Sequence, residues 1–410
     1  RYVYEAMTSR LKSRIDAKGQ ETQYTYALDD RLTNITYLNA QHPTPNVTLS
    51  YTDPTLNALD PYGRLRQMTD GTGQTAYSYH PYGQVGAGQL QSVDGPYAGD
   101  TIAYGYDEVG RRVSRTFAGL TTNWGFDAQG RIAGLSDPIG KFQYTYFGNT
   151  DRLQTLTYPN LQKSVYAYHG SSQDRRLQQI QHLKPTFGPG QVYETFTYTY
   201  DDMGNIKTWT GGPEGALALE YDAADELVAA TAGQGVKRYR YAYDPAGNRT
   251  AEQINDAVTG ATYNNRNQLS SQQAGGAVLF RGTTNEPARV TVQSAPATTT
   301  PANQFSGNAQ AGSGQTDVVV QATDYAQPTP NVRTNTYRVS QSGPGRSFTY
   351  DANGNLESRT EPSGLTTTYE WDAENRLLAV KQGGSTLASY TYDGYGRRAT
   401  KPGASPVRWD

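Results

Sequence analysis

The sequence predicts an all-β protein in which β-hairpin repeats join into one long ribbon, with one small β-sandwich inserted into it. Three observations support this prediction: a short motif returns along nearly the whole chain, its spacing is regular, and tyrosine outnumbers phenylalanine by 33 to 9. The motif reads aromatic-x-aromatic-Asp-x-x-Gly-(Arg/Asn), and most of its second aromatics are 20 to 22 residues apart. A fixed period of this size indicates a repeat array rather than separate domains.

Each position of the motif has a role in a β-hairpin. Two aromatics separated by one residue place their rings on one face of a strand, because strand side chains alternate. The Asp carboxylate can accept a backbone N–H two residues on, and the Gly supplies the left-handed conformation that ends the turn. The residues assigned to this structural motif in the six complete copies are Tyr104, Tyr106, Asp107, Gly110, Arg111, Trp124, Phe126, Asp127, Gly130, Tyr198, Tyr200, Asp201, Gly204, Tyr241, Tyr243, Asp244, Gly247, Phe348, Tyr350, Asp351, Gly354, Tyr390, Tyr392, Asp393 and Gly396.

Nine weaker copies raise the predicted number of repeats to fifteen. Four of them have Asn or Asp in place of the Gly, the other residues that tolerate a positive φ: Asp30, Asp225, Asn267 and Asn375. Two keep the Gly but lose other positions: one ends at Gly83, and the other spans residues 59–64 and contains Gly63. Three are expected to carry one or two extra turn residues, after Tyr4, Tyr146 and Tyr168.

Several stretches interrupt or test the period. Residues 1–96 hold four loose repeats, and their prolines are expected in loops rather than central strands: Pro43, Pro45, Pro54 and Pro61. Residues 182–190 lengthen one interval between consecutive repeats, and they are predicted to form a protruding loop. Residues 220–234 have helical propensity, but their place in the period predicts strand.

Between residues 276 and 342 the motif is absent and short alternating runs replace it, separated by Gly, Pro, Thr and Asn. The runs include 278–280, 289–292, 318–322 and 336–339. This spacing predicts a small immunoglobulin-like β-sandwich, and the alternative is a disordered linker. The predicted organisation is therefore a repeat segment over 1–275, the sandwich over 276–342, and a second repeat segment over 343–410.

Composition predicts how the ribbon is held together. The mean hydropathy of -0.74 is low for a folded chain of 410 residues, so aliphatic residues are too few for a thick core. We expect ladders of stacked rings and cross-strand pairs instead. Fifteen repeats of two strands give a ribbon of roughly 140 Å. Because sheets twist with a fixed hand, a ribbon of that length coils, and it would enclose water or cargo.

The charges, apolar runs, cysteines and histidines of the sequence exclude several classes of function and indicate no catalytic site. The net charge of -2 and scattered charges argue against nucleic acid, and no apolar run is long enough for a membrane span. The chain has no Cys, and none of its four His belongs to a recognisable metal or catalytic motif. His80 and His169 are expected in turns, with shared metal ligation as the alternative, whereas His42 and His182 are expected in solvated loops. We predict no cofactor, no metal and no enzymatic activity.

The recurring unit resembles the YD repeats of the rearrangement-hotspot (RHS) family, over about 340 of the 410 residues. The stretches 280–288 and 320–324 resemble the immunoglobulin-like module found inside bacterial members. The resemblance implies a β-ribbon that spirals into a hollow shell. In bacterial polymorphic toxins and insecticidal toxin complexes such a shell encloses a toxic C-terminal domain, and in teneurins a similar barrel belongs to an adhesion protein. The family's self-cleaving core region has no counterpart in this sequence.

The expected function is a non-enzymatic shell segment of a secreted or cell-surface protein that encapsulates a toxin or other cargo. Its expected partner is the rest of a longer polypeptide, in particular a C-terminal cargo domain, because the chain starts at Arg1 and stops at Asp410 where another repeat is due. The alternative is an adhesion or glycan-binding surface that meets glycans or a cell-surface receptor. A carbohydrate-active enzyme is a third hypothesis, but no acid–base pair can be nominated for it.

Overall fold

In the computed structural model the repeats form one antiparallel sheet of 29 strands. The structure describes residues 1–185, 191–212, 215–233, 237–343 and 345–400. Along most of the sheet, neighbours in sequence are neighbours in space, since a strand pairs with the one before it and the one after it. At two places the sheet instead skips a segment, which is a small two-stranded hairpin in one case and a larger insert in the other. At about 4.8 Å between strands the ribbon is about 135 Å long. The predicted all-β ribbon is confirmed.

The first part of the chain contributes most of this ribbon. A short 3₁₀ turn, Ser171–Gln173, lies between two of its strands. The strands are β1 (Tyr2–Tyr4), β2 (Leu11–Ile15), β3 (Glu21–Tyr26), β4 (Leu32–Leu38), β5 (Val47–Ser50), β6 (Thr52–Asp53), β7 (Ala58–Leu59), β8 (Gln67–Asp70), β9 (Gly73–Tyr79), β10 (Leu90–Asp94), β11 (Ile102–Tyr106), β12 (Arg112–Phe117), β13 (Leu120–Phe126), β14 (Ile132–Asp137), β15 (Gly140–Tyr146), β16 (Leu153–Thr157), β17 (Lys163–Tyr168), β18 (Leu177–Leu183), β19 (Val192–Tyr200), β20 (Ile206–Gly212), β21 (Gly215–Tyr221), β22 (Leu227–Ala232), β23 (Lys237–Tyr243), β24 (Arg249–Ile254), β25 (Ala257–Tyr263) and β26 (Leu269–Ala274).

Local expectations about these strands are largely met. None of the four prolines lies in a strand, and the stretch with helical propensity forms β21, a turn and β22. The loop predicted over 182–190 is wrong at its start, because β18 extends to Leu183 and pairs with β19. Its residues 186–190 lie outside the described residues.

The segment Gly276–Gln341, called the insert below, leaves the ribbon after β26 and forms two small sheets. Its strands are β27 (Gly276–Thr283), β28 (Ala288–Val292), β29 (Ala295–Pro296), β30 (Thr298–Thr299), β31 (Gln304–Ala311), β32 (Gly314–Asp324) and β33 (Val332–Gln341). One sheet has the order β27-β31-β30 and the other β29-β28-β32-β33. Val290, Val292, Val318 and Val320 are buried between them.

The insert is therefore folded, which contradicts the alternative of a disordered linker. Each apolar run noted in the sequence lies in one of its strands. The immunoglobulin-like assignment itself stays a prediction.

After the insert the chain re-enters the same sheet. The strands of this sheet are β34 (Arg346–Tyr350), β35 (Leu356–Thr360), β36 (Thr366–Trp371), β37 (Leu377–Gln382) and β38 (Ser385–Ser389). The last two strands, β39 (Thr391–Tyr392) and β40 (Arg398–Thr400), pair with each other in a separate two-stranded sheet. β34 pairs directly with β26, through Ser271 opposite Ser347 and Gln272 opposite Arg346. The ribbon thus continues past the insert as though the insert were absent.

The ribbon is one layer thick. The accessible surface is 23976 Å², whereas a compact protein of 44.9 kDa exposes about 15,700 Å². The excess arises because both faces of the sheet are in contact with solvent. One face, called the aromatic face, carries the two rings of each motif. The opposite face, called the hydroxyl face, carries cross-strand pairs such as Thr199 with Thr208 at 2.6 Å and Thr349 with Ser358 at 2.7 Å.

Candidate functional site: the repeat turns and the seam of the ribbon

The Asp of each motif organises a turn through its carboxylate. Asp107 Oδ1 accepts the backbone N–H of Val109 at 3.1 Å and of Arg111 at 2.8 Å, while Oδ2 accepts Arg111 Nε at 2.7 Å. Gly110 has φ of 83°, in the left-handed region that suits glycine. Burial alone would raise the pKa of Asp107, but the hydrogen bonds from Arg111 outweigh it and the pKa is lowered.

The other five complete copies have the same turn. In each one the Asp carboxylate accepts N–H groups two and four residues on, and the Gly has a positive φ. The Asp residues and their glycines are Asp127 with Gly130, Asp201 with Gly204, Asp244 with Gly247, Asp351 with Gly354, and Asp393 with Gly396. In the repeats these carboxylates are engaged in turns.

The expectation for the degenerate copies is confirmed, because every Asn or Asp in the Gly position has a positive φ. Their values are 66° at Asp30, 61° at Asp225, 58° at Asn267 and 59° at Asn375. The copy that contains Gly63 has its second aromatic further back in the sequence than the other copies do. This aromatic is Tyr51, which the small hairpin of β6 and β7 separates from the Asp60 turn. The Asp60 N–H donates to the Tyr51 carbonyl at 2.8 Å.

These Asn and Asp residues have a second role that the sequence analysis missed. Where one motif ends in Asn, that side chain donates to the residue in the Gly position of the next repeat. The pairs are Asn205 with Asp225 at 2.8 Å, Asn248 with Asn267 at 3.0 Å, and Asn355 with Asn375 at 2.8 Å. In these three pairs, an Asn at the end of one motif accompanies an Asn or Asp in the Gly position of the next repeat. This order is visible in the sequence and could have predicted the contact.

The second aromatic of a motif ties its repeat to the preceding one. The Tyr106 hydroxyl donates to the Leu90 carbonyl at 3.0 Å, and Tyr200 donates to Leu177 at 2.7 Å. The acceptor is the residue just after the preceding turn. The same bond is made by Tyr243 to Leu227, Tyr350 to Leu269 and Tyr392 to Leu377. This bond explains the excess of tyrosine over phenylalanine, since only tyrosine has the hydroxyl donor.

Where a motif ends in arginine, its guanidinium fills the space between that repeat and the second aromatic of the next one. The Arg111 guanidinium lies 4.4 Å from the centre of the Phe126 ring, and Arg131 lies 4.3 Å from that of Tyr146. The expected ladder of stacked rings is thus wrong for these repeats, although single ring contacts occur elsewhere, as between Phe196 and Trp209 at 6.5 Å. Equivalent rings are two strands apart, about 10 Å, which exceeds ring contact distance, and a cation–π contact bridges the gap.

The first aromatics also lie beside arginine. Arg112 lies over both Tyr104 and Trp124, Arg249 over Tyr241, and Arg398 over Tyr390. Phe348 and Tyr198 occupy the corresponding strand positions in β34 and β19. Tyr104 is buried, in a small cluster with Val93 and Ile102.

Replacing Tyr200 by Phe is expected to lower the free energy of unfolding by about 1 kcal/mol, because the Leu177 carbonyl loses its hydroxyl donor. Urea unfolding followed by tryptophan fluorescence measures the change. The matched control is Tyr193→Phe, because Tyr193 is 48% exposed. Equal effects of the two substitutions would contradict a role for the Tyr200 hydroxyl.

Replacing Gly130 by Ala is expected to destabilise the protein by about 1 to 2 kcal/mol, because φ is 82° there and a Cβ would meet nothing closer than 3.5 Å. Backbone strain is then the only cost. Gly125 of the same hairpin is the control: it has no positive φ, and a Cβ there would have its nearest neighbour at 3.9 Å. Gly125→Ala is expected to be neutral or slightly stabilising in the same unfolding measurement.

The histidines lie in contacts between repeats. His80 and His169 are in turns, as predicted, and their Nε2 atoms contact the carbonyls of Tyr104 at 3.0 Å and Tyr198 at 3.2 Å in the next repeat. The expectation of a solvated loop is wrong for His182. It lies in β18, half-buried, with Nδ1 2.8 Å from Ser164 Oγ. His182 is half-buried because it belongs to a paired strand, although Pro185 follows it closely in the sequence.

The coiled ribbon meets itself along a seam, where the turns of the last repeats lie against the first repeats. Lys18 Nζ lies 3.1 Å from Asp351 Oδ2, with these side chains 6% and 14% exposed. Asn353 Nδ2 donates to Asp16 Oδ2 at 2.7 Å, and the Ala17 N–H donates to Asn353 Oδ1 at 3.1 Å. These residues are more than 330 positions apart in sequence, so only coiling brings them together.

Two further turns continue the seam. Arg14 pairs with Glu374 at 2.9 Å, and the Ala373 N–H donates to Thr44 Oγ1 at 2.9 Å. In the next repeat the Gly394 N–H donates to Asp70 Oδ2 at 2.6 Å. The seam thus involves three consecutive turns of the late repeats. It completes one circuit of the ribbon.

The described residues contain no group of three or more His, Cys, Asp or Glu placed to hold a metal ion. Within the same ranges, no helix is long and apolar enough to cross a membrane. What the arrangement does provide is a wall whose repeats are linked by hydroxyl, guanidinium and amide contacts, and whose ends meet.

Comparison with known proteins agrees with this geometry. The family model for the RHS Repeat matches residues 221–259 and 350–387. The chain is 26% identical, over an alignment of 165 residues, to Double-stranded DNA deaminase toxin A of Burkholderia cenocepacia (strain H111). That alignment covers 36% of this chain and 11% of the toxin. The two stretches that match the family model thus carry RHS repeats, and the resemblance predicted from the sequence is confirmed there.

Solved structures share the fold at low sequence identity. The crystal structure of TcdB2-TccC3 without its hypervariable C-terminal region matches with a TM-score of 0.53 and 15% identity, over 98% of this chain and 24% of that chain. TcdB2-TccC3-TEV matches with a TM-score of 0.52 and 13% identity, over 98% of this chain and 24% of that chain. The chain spans about a tenth of the curated relative and about a quarter of these structures.

Proposed function

We propose that this chain is a non-enzymatic wall segment of a shell that encloses a polypeptide cargo. The observation that carries the proposal is the seam, because a ribbon that closes on itself separates an inside from an outside. The single-layer sheet and its polar faces support the proposal as well, since no second layer of aliphatic side chains is needed to fill the interior. The resemblance to toxin-associated RHS proteins makes a toxin the favoured cargo.

The proposed partner is the rest of a longer polypeptide, with the cargo as a C-terminal domain, in a protein that is secreted or displayed at the cell surface. We propose that residues 1–275 and 343–410 form the wall and that residues 276–342 are a separate module. The direct pairing of β26 with β34 supports this division, since the wall continues without a break. The motif residues have a structural role in the proposal, as the framework of the wall.

Protease protection tests containment. A flexible reporter peptide fused after Asp410 is expected to be cut more slowly by trypsin than the same peptide fused to an unrelated β-protein. The control variant Lys18→Met, which removes the ion pair with Asp351, is expected to restore rapid cutting if the seam closes the shell. Equal cutting rates in all three fusions would refute containment by this chain.

One observation favours the adhesion alternative. The rings of Tyr62 and Tyr82 lie 4.4 Å apart and are 57% and 56% exposed, with Arg64 beside them. Adjacent exposed rings are a surface on which sugars can stack. If glycan-array binding were found and then lost in Tyr62→Ala with Tyr82→Ala, adhesion would be the better proposal.

A further inference from the structure

A cleft of about 530 Å³ separates the insert from the hydroxyl face of the ribbon. Strands β23 and β24 form its ribbon wall, and β27 and β33 form the opposite wall. Gln253 Oε1 accepts the Leu279 N–H at 3.2 Å, and the Gln341 side chain bonds both the Val258 N–H at 2.7 Å and the Asp256 carbonyl at 2.9 Å. These contacts fix the two walls relative to each other.

Four arginines line this cleft: Arg238, Arg240, Arg281 and Arg338. Arg281 lies 3.3 Å from Glu220 at the surface, and Arg338 pairs with Asp317. In the described part of the chain, no carboxylate lies within ion-pair distance of Arg238 or Arg240. Asp256 is the one acidic residue of the lining, so the lining has an excess of positive charge.

The electrostatics of Arg240 agree with this excess. It is half-buried, and its Nη1 donates to the Tyr239 carbonyl at 2.8 Å. Burial lowers the pKa of Arg240, and repulsion from Arg281 and Arg238 lowers it further, while attraction from Glu220 offsets part of this effect. An anion in the cleft would reduce that repulsion.

The cleft continues along two strand edges. In the described part of the chain, β27 pairs only with β31 and β33 only with β32, so each has one unpaired edge. A second cavity of about 530 Å³ follows the same edges, and both cavities are lined by Phe280, Arg281 and Tyr337. Residues 332–338 of β33 are all exposed. An unpaired edge beside an apolar floor is the arrangement that accepts an extended peptide as an added strand.

We propose that this groove binds an acidic polypeptide segment in extended conformation, which adds a strand along β33 and places its carboxylates at the four arginines. A peptide uses every feature of the groove, because it has backbone groups for the strand edge, apolar side chains for the floor and carboxylates for the cations. A sulfated glycan would use the arginines alone. The inference goes beyond containment and does not rest on it.

Fluorescence anisotropy with a labelled peptide of alternating Glu and Val tests the proposal. Binding is expected, with an affinity that falls as salt rises, while the corresponding Lys and Val peptide does not bind. Arg240→Gln and Arg281→Gln are each expected to weaken binding about tenfold or more. Arg289→Gln is the matched control, since Arg289 is an exposed arginine of β28 outside both cavities.

Three results would overturn the proposal: no binding of the acidic peptide, equal affinity for both arginine variants and the control, or binding of heparin without binding of the peptide. The last would assign the cleft to a sulfated glycan. Arg281 is 49% exposed, so its substitution leaves the fold intact, and an unchanged melting temperature verifies this. Arg281→Gln thus keeps the test decisive if Arg240→Gln fails to fold.

Discussion

A chain carrying both Arg14→Glu and Lys18→Glu is expected to open along the seam, with a larger radius of gyration in small-angle X-ray scattering. Each substitution replaces an ion pair by a like-charge contact, with Glu374 and with Asp351. Because the pair of Lys18 and Asp351 is largely buried, its loss alone is expected to cost about 3 kcal/mol or more. The ladder within each repeat remains, so circular dichroism should still show β-structure.

Two comparisons isolate the seam. Lys12→Glu with Lys141→Glu makes the same change of net charge at exposed positions, and the radius is expected to stay at its wild-type value. Adding Glu374→Arg to the chain that carries Arg14→Glu and Lys18→Glu restores one attractive pair, between positions 14 and 374. This triple variant is expected to recover part of the compact form. If the chain with Arg14→Glu and Lys18→Glu has the same radius of gyration as the wild type, these ion pairs do not hold the ribbon closed.

Acid is expected to weaken the same seam. Burial would raise the pKa values of Asp16 and Asp351, but hydrogen bonds from Asn353 and Gln20 to Asp16, and from Asn355 and Lys18 to Asp351, lower both. A lowered folded-state pKa contributes stability that is present above the unfolded value, about 3.9, and is lost as pH falls through the folded value. Opening is therefore expected below about pH 4 and not near neutrality.

Asp60→Ala is expected to lower the free energy of unfolding by about 3 kcal/mol, because it removes a buried carboxylate that two partly buried guanidinium groups share. Arg64 then has no carboxylate partner within ion-pair distance among the described residues, whereas Arg66 keeps Asp53 at 3.1 Å. The Asp60 side chain is 0% exposed and accepts Arg64 Nη2 at 3.0 Å and Arg66 Nε at 2.8 Å. It also accepts the Tyr62 N–H at 2.9 Å. Urea unfolding at neutral pH measures the loss.

The exposed Asp151 provides the control, since Asp151→Ala removes the same charge from a turn and is expected to change stability little. Burial would raise the pKa of Asp60, but Arg64 and backbone N–H groups lower it to about 2. Its contribution is thus present above about pH 4 and is lost as pH falls through about 2. A similar loss in both variants would contradict the role assigned to the arginine pair.

The hairpins could be predicted from the sequence because their geometry is local. The Asp107 turn needs only residues that follow one another closely, and its Gly110 requirement is visible in the substitutions by Asn and Asp elsewhere. The contacts between repeats were harder to predict from the sequence than the turns were. A hydrogen bond from Tyr200 to Leu177, or a guanidinium over Phe126, depends on the two-strand distance between repeats. Stacked rings were expected between repeats, but arginine occupies that space where a motif ends in arginine.

The sequence by itself determined the strand order, the turns and the place where the insert interrupts the ribbon, since each depends on residues within one or two repeats. Only the tertiary structure decided that the ribbon meets itself and that the insert lies against the hydroxyl face. The physical reason is that coiling accumulates from a small twist at each of many strands. Coiling brings together residues such as Lys18 and Asp351, and nothing in a single sequence indicates that these two residues are in contact.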